Sequence, residues 1–154
     1  MFFGFMKNTE RILVAEDDPQ DAFFLKREFG RAGVTVSLHF VQDGQEVIDY
    51  LEGKGGFADR QTHPMPDLVL LDLKMPRLNG FDVLGWLRKQ AGLKRLPVII
   101  FSSSAESVDI NRAYDLGANS YLVKPHAVEE LSAVVNRLKA YWLEANIMPD
   151  CSSP

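Results

Sequence analysis

The sequence predicts an α/β fold: a five-stranded parallel sheet with helices on both faces. Three observations carry that reading. Short β-branched runs alternate five times with longer segments of helical period. Residues 68–71 are four consecutive apolar positions, the pattern of a strand buried on both faces. Acidic, hydroxyl and basic residues recur just beyond the strand ends, where parallel sheets place their chemistry. The 154 residues make one domain, and 46% apolar with 25% charged composition excludes disorder as the main state. A single cysteine, Cys151, excludes a disulfide scaffold. No apolar run reaches the roughly 20 residues of a membrane span, and the apolar start at residues 1–6 is too short for a signal segment. With a net charge of −4 the expectation is a cytoplasmic protein with no broad affinity for nucleic acid.

The elements follow in order. Strand one is 11–15. Asp18 caps the first helix, with Pro19 at the favoured first position; Ala22, Leu25, Phe29 and Ala32 form its apolar stripe, and Gly33 ends it. Strand two is about 35–41. A second helix opens at Asp43-Gly44 and closes at Gly53. Residues 54–66 are the one long irregular stretch and read as a surface loop. Strand three is 67–71, followed by a turn over 72–79 and a helix from Gly80 to about Gln90. Strand four is 97–101, then a helix over 105–116. Strand five is 119–123, and the last helix is 128–146. The expected division is a flexible N-terminal extension over 1–9, one domain over 10–146 and a short tail over 147–154.

A parallel sheet gathers the strand ends on one edge. Glu16, Asp17 and Asp18 follow strand one, Asp72 follows strand three, Ser102 to Ser104 follow strand four, and Lys124-Pro125 follow strand five. Clustered carboxylates take up protons or bind a cation. Oxygen ligands without His or Cys suit Mg²⁺. A triplet of acids is also an ordinary helix cap; the acid after strand three is what argues against that reading. Asp72 ends an apolar strand, where a carboxylate is costly without a partner. Carboxylates attack phosphoryl groups when charge is neutralised, here by the metal and the Lys124 ammonium, with Ser102 donating to a phosphoryl oxygen. A cis bond before Pro125 would aim Lys124 inward.

At these residues the chain closely resembles the CheY-like receiver domains of two-component response regulators. The resemblance covers about residues 10–145. It rests on Glu16-Asp17, on the stretch from Leu70 through Asp72, Met75-Pro76 and Asn79-Gly80, on Ser102, and on Tyr121 to Pro125. It implies the flavodoxin-like (βα)5 fold with strand order 2-1-3-4-5. It implies that Asp72 accepts a phosphoryl group from a histidine kinase. Asp17 and Asp72 would hold Mg²⁺ by side chain, Glu16 through water and Lys74 through its backbone carbonyl. Ser102 would sense the phosphoryl oxygen, Lys124 would pair with it, and Tyr121 would be the switch aromatic that turns inward when Ser102 moves. Such a protein is a signalling phosphoacceptor rather than an enzyme, though it assists its own phosphotransfer and dephosphorylation. The loop with Gly53, Gly55-Gly56 and Phe57, the serine triplet and Tyr141-Trp142 further resemble the single-domain regulators paired with bacterial phytochromes. Many of those carry Asn at position 74 and Thr at position 102, so Lys74 and Ser102 are departures that bear on phosphoryl lifetime and on the hold on Tyr121.

With only residues 148–154 beyond the last helix, the expected output is a contact made by this domain and not a DNA-binding module. Val128, Leu131, Val135, Leu138 and Trp142 form a core stripe; Val134, Tyr141 and Ile147 lie off it. The expectation is a homodimer through this helix and the strand-five region, set against a plain C-terminal cover for the sheet. Phe23 and Phe24 cannot both face the core, so one is a surface residue near the acids. His39, His63 and His126 lack metal-like spacing. A haloacid-dehalogenase-type phosphatase needs a second acid where Lys74 stands. A flavin or dinucleotide site needs a Gly- or Ser/Thr-rich turn where three acids stand. A degenerate receiver serving as a phosphorylation-independent binding module is the remaining alternative.

Overall fold

The computed structural model describes residues 8–151. Strands β1 (Arg11–Ala15), β2 (Ser37–Val41), β3 (Leu68–Leu71), β4 (Val98–Ser102) and β5 (Ser120–Val123) form one parallel sheet in the order β2-β1-β3-β4-β5. The order changes direction between β1 and β3, so the ligand crevice opens at the carboxyl ends of these two strands. The predicted fold class and strand order are the observed ones.

Alternation within the strands divides the core. Leu13, Ala15, Val69, Leu71, Val98 and Ile100 face α2 (Gly44–Glu52), α3 (Gly80–Lys89) and α4 (Ser107–Asp115). Ile12, Val14, Leu68, Leu70, Ile99 and Phe101 face α1 (Pro19–Arg31) and α5 (Val128–Leu138). All four residues of β3 are buried, as expected for a central strand covered on both sides. Helix starts follow the sequence: the Asp18 carboxylate accepts from the Gln20 and Asp21 amides, and Asn79 and Asp82 form a reciprocal capping box.

Four details refine the expectation or depart from it. The 54–66 stretch is ordered by its own side chains. Arg60 donates to the Tyr50, Leu51 and His63 carbonyls at 2.7, 2.9 and 3.1 Å, satisfying the end of α2, and the Tyr50 hydroxyl donates to Pro64 O at 2.9 Å. The last helix is α-helical only to Leu138; Lys139–Ala145 widens into a π-helix closed by Asn146 N donating to Tyr141 O at 2.6 Å. That widening turns Trp142 and Leu143, adjacent in sequence, onto the same core face, and Val134 also packs partly against it. Residues 1–7 of the expected extension lie outside the described residues, but Thr9 is buried and donates its hydroxyl to Trp142 O at 3.0 Å. The tail also packs: Met148 is buried against the α1/α5 face and Cys151 against the opposite one. Tyr141 and Ile147 are exposed, as their place off the stripe predicts.

Candidate functional site

Backbone hydrogen bonds run one residue past β1, β3 and β5. Asp72 N donates to Ala15 O at 3.1 Å, Glu16 N to Val41 O at 3.0 Å, and Lys124 N to Ser102 O at 2.7 Å. The ladder therefore carries Glu16, Asp72 and Lys124 to one edge before the chain turns away. Gly80 closes the other side. Its amide donates to Leu73 O at 2.9 Å, and a Cβ there would fall 2.4 Å from Asp72 O, so only glycine lets α3 start this close to the strand end.

Carboxylate oxygens of Glu16, Asp17 and Asp72 come within 4.8 Å of one another; Glu16 and Asp72 are buried and Asp17 is exposed. The Lys124 ammonium donates to Asp72 Oδ2 at 2.9 Å, to Asp21 Oδ2 at 3.2 Å and to Glu16 Oε1. Its side chain is only 13% exposed. The peptide bond before Pro125 is trans, and no cis bond occurs among the described residues; the inward aim of Lys124 comes from its three acidic partners and not from the isomer expected from the sequence. Asp72 Oδ1 accepts from Lys74 N at 3.3 Å, while Lys74 itself is exposed. A charged cluster this buried must be compensated. Burial pushes the Glu16 carboxyl up to about 7, against its hydrogen bond from Lys124 and with the Asp72 charge adding to the rise. For Lys124 burial acts downward, but the hydrogen bonds and charges of Glu16 and Asp72 outweigh it and hold the ammonium above its usual range.

These donors fit a hard divalent cation. The set is all oxygen, two of three ligands are buried, and no imidazole or thiolate joins them. Among the described residues this trio is the one acidic or His/Cys group assembled closely enough to hold a metal ion. His39 and His63 stand elsewhere, around the Tyr50 ring at 6.0 and 5.7 Å, and His126 is exposed.

Ser102 is fully buried, and its Oγ accepts from Ser104 N at 3.1 Å. Tyr121 packs against the α2/α3/α4 core face, and its hydroxyl donates to Ser104 O at 2.8 Å. The sequence reading expects Tyr121 to turn inward when Ser102 moves; in this structure Tyr121 is half-buried and tied by its hydroxyl to the turn that follows Ser102. Phe23 is the surface aromatic of α1, 61% exposed, whereas Phe24 lines a hollow of about 280 Å³ with Asp21, Phe101 and Lys124.

Two contributions went unnoticed in the sequence. Asp21, in the first turn of α1, is a third acid on Lys124; its position three residues after the Asp18 cap is the signal that would have placed it at the same edge. Ser104 anchors the turn before α4 by donating to Asp109 Oδ2 at 2.6 Å and offers Tyr121 its carbonyl. The hydroxyl contact needs a serine-type side chain just before the helix, which the serine triplet offers, whereas the carbonyl contact to Tyr121 is backbone geometry with no signature in residue type.

Comparison with known proteins bears on the family and the fold. The response regulator receiver domain family matches residues 12–136. A probable methanogenesis regulatory protein, FilR2 of Methanothrix harundinacea, is 36% identical over 141 residues, covering 90% of this chain and 86% of that protein. The response regulator RPA3017 in red light signaling of R. palustris is 40% identical with a TM-score of 0.85, covering 90% of this chain and 97% of that one. The phosphorylated cyanobacterial phytochrome response regulator RcpA is 31% identical with a TM-score of 0.84, covering 91% of this chain and 98% of that one. Among the described residues no helix is long and apolar enough to cross a membrane. A receiver family matched over residues 12–136 and a relative 36% identical across 90% of this chain lead to one conclusion: the chain belongs to the response regulator receiver domain family of two-component signalling.

Proposed function

We propose that this chain is a cytoplasmic single-domain response regulator, with 10–146 as its receiver unit, in which Asp72 accepts a phosphoryl group from the phosphohistidine of a histidine kinase. The observation that carries the reading is the Lys124 ammonium 2.9 Å from Asp72 Oδ2, beside two further acids. An Asp72 oxygen attacks phosphorus, the phosphorus–oxygen bond forms as the bond to the histidine nitrogen breaks, and the electron pair leaves with the imidazole. Asp17 and Asp72 would hold Mg²⁺ by side chain, with Glu16 through water and the Lys74 carbonyl; the bound ion supplies charge neutralisation for nucleophile and phosphoryl group. Lys124 moves its hydrogen bond from the carboxylate to a phosphoryl oxygen. Ser102, whose Oγ already fixes the Ser104 amide, donates to another. The pull on Ser102 reaches Tyr121 through Ser104, which joins them in this structure.

The likeness to RcpA and RPA3017 supports a phytochrome-type kinase as partner. Exposed Val123, Tyr141 and Ile147 support a homodimer through the strand-five region and the last helix. The test of the acceptor is incubation with acetyl phosphate and Mg²⁺, read by intact mass. One phosphoryl group is gained by the wild type and none by Asp72→Asn or in excess chelator. A gain undiminished in Asp72→Asn overturns the assignment. A sedimenting monomer at high micromolar concentration, with and without phosphodonor, overturns the dimer.

A further inference from the structure

The turn between β3 and α3 contains one residue that the chemistry above leaves unused. Arg77 adopts φ 65°, and among the described residues it is the one non-glycine with positive φ. An L side chain avoids that region unless its surroundings compel it. Its side chain makes a fork across 34 residues of sequence: Arg77 Nε donates to Asp43 Oδ2 at 3.0 Å and Nη2 to Asp43 Oδ1 at 3.1 Å. Asp43 is fixed in turn. It is the N-cap of α2, and Oδ1 also accepts from Glu46 N at 2.8 Å. A second fastening lies beside the first. Gly44 N donates to Leu78 O at 3.1 Å, and a Cβ on Gly44 would fall 2.2 Å from that oxygen, so the start of α2 presses directly on the turn.

We propose that Arg77 is a positioning residue for the cation and phosphoryl chemistry of this pocket: through Asp43 it ties the segment between Lys74 and Leu78 to the first turn of α2 and so fixes the path of the backbone that carries the Lys74 carbonyl past Asp72. The inference rests on the acceptor reading above. Arg77 is 58% exposed and Asp43 14%, and a pair this open to solvent adds little to global stability. Its effect lies in geometry, as for the outer partners of a metal ligand.

The test is Mn²⁺ binding in the absence of phosphodonor, read by electron paramagnetic resonance of the free ion, with urea unfolding in chelator as the control for fold. The variants are Arg77→Ala, Arg77→Lys and Asp43→Asn, the last keeping an oxygen for the Glu46 amide. Arg77→Ala and Asp43→Asn weaken Mn²⁺ by about tenfold, the scale for loss of an outer partner of a ligand. The double variant is no weaker than either single one, and Arg77→Lys, with charge but no fork, falls short of wild type. Wild-type binding with both single variants within about twofold of it overturns the inference alone, whatever happens to stability. A wild type that binds no Mn²⁺ overturns the inference together with the acceptor reading.

Discussion

Lys124→Met separates electrostatic compensation from packing, because methionine keeps much of the side chain's length and removes the charge. Lys124 is 13% exposed in its side chain, Glu16 4% and Asp72 7%. Without the ammonium, two buried carboxylates face each other within 4.8 Å, and unit charges at that distance repel by about 3.5 kcal/mol at an effective dielectric of about 20. Breaking a buried ionic group by deleting one partner costs about 3–5 kcal/mol, a consistent scale. The expected loss is therefore about 3 kcal/mol in chelator near pH 8, a fall in Tm of about 6–12 °C for a chain of this size. It shrinks as pH falls, because the Glu16 carboxyl, raised by burial and raised further once the Lys124 hydrogen bond and charge are gone, relieves the repulsion by taking a proton. Saturating Mg²⁺ restores part of the loss, since the divalent ion replaces the missing charge, and the variant binds Mg²⁺ more tightly than wild type. Urea unfolding followed by circular dichroism, with chelator or Mg²⁺, measures each term. A loss below about 1 kcal/mol near pH 8, or no recovery with Mg²⁺, refutes the reasoning.

Further outcomes follow from the same geometry. Between pH 4.5 and about 7 folded Glu16 keeps a proton that the unfolded chain has released, so metal-free stability falls as pH rises through that window; Glu16→Gln flattens the wild-type slope in urea midpoints taken across it. Gly80→Ala drives a methyl against the Asp72 carbonyl, a backbone atom with no room to give, and costs about 1–3 kcal/mol with slowed phosphorylation from acetyl phosphate; wild-type stability and rate contradict the close approach. Tyr121→Phe deletes the hydrogen bond to Ser104 O and costs about 1 kcal/mol in urea unfolding, while phosphorylation still occurs at Asp72; an unchanged midpoint contradicts a contribution of that hydrogen bond to the fold.

The sheet was legible because β1, β3 and β4 are short, mostly apolar runs and α1, α2 and α3 open on their own Asp or Asn caps. Glu16, Asp72 and Lys124 were legible for a related reason: a parallel sheet sends its strand ends to one edge, so residues 108 apart in sequence meet without further information. What the sequence hides is contact between the turns. Asp21 meets Lys124 only because the lysine side chain reaches back across the carboxyl edge of the sheet to the first turn of α1, and Arg77 reaches Asp43 only because α2 begins against the β3–α3 turn. Neither pair has a spacing rule. The π-widening after Leu138 was hidden too, since 3.6-residue periodicity continues plausibly through Trp142 while the backbone does not. The inward Lys124 was expected for the wrong reason: three carboxylates aim it, on a trans peptide bond.

The claim beneath the account is that the acid cluster and Lys124 make the side chain at position 72 the one that captures phosphorus. Borohydride reduction of the acetyl phosphate-treated protein converts an aspartyl phosphate to homoserine, and peptide mass mapping locates it. Homoserine at position 72, dependent on Mg²⁺, is the predicted result; homoserine at position 17, a corresponding reduction at Glu16, or none at all contradicts the claim.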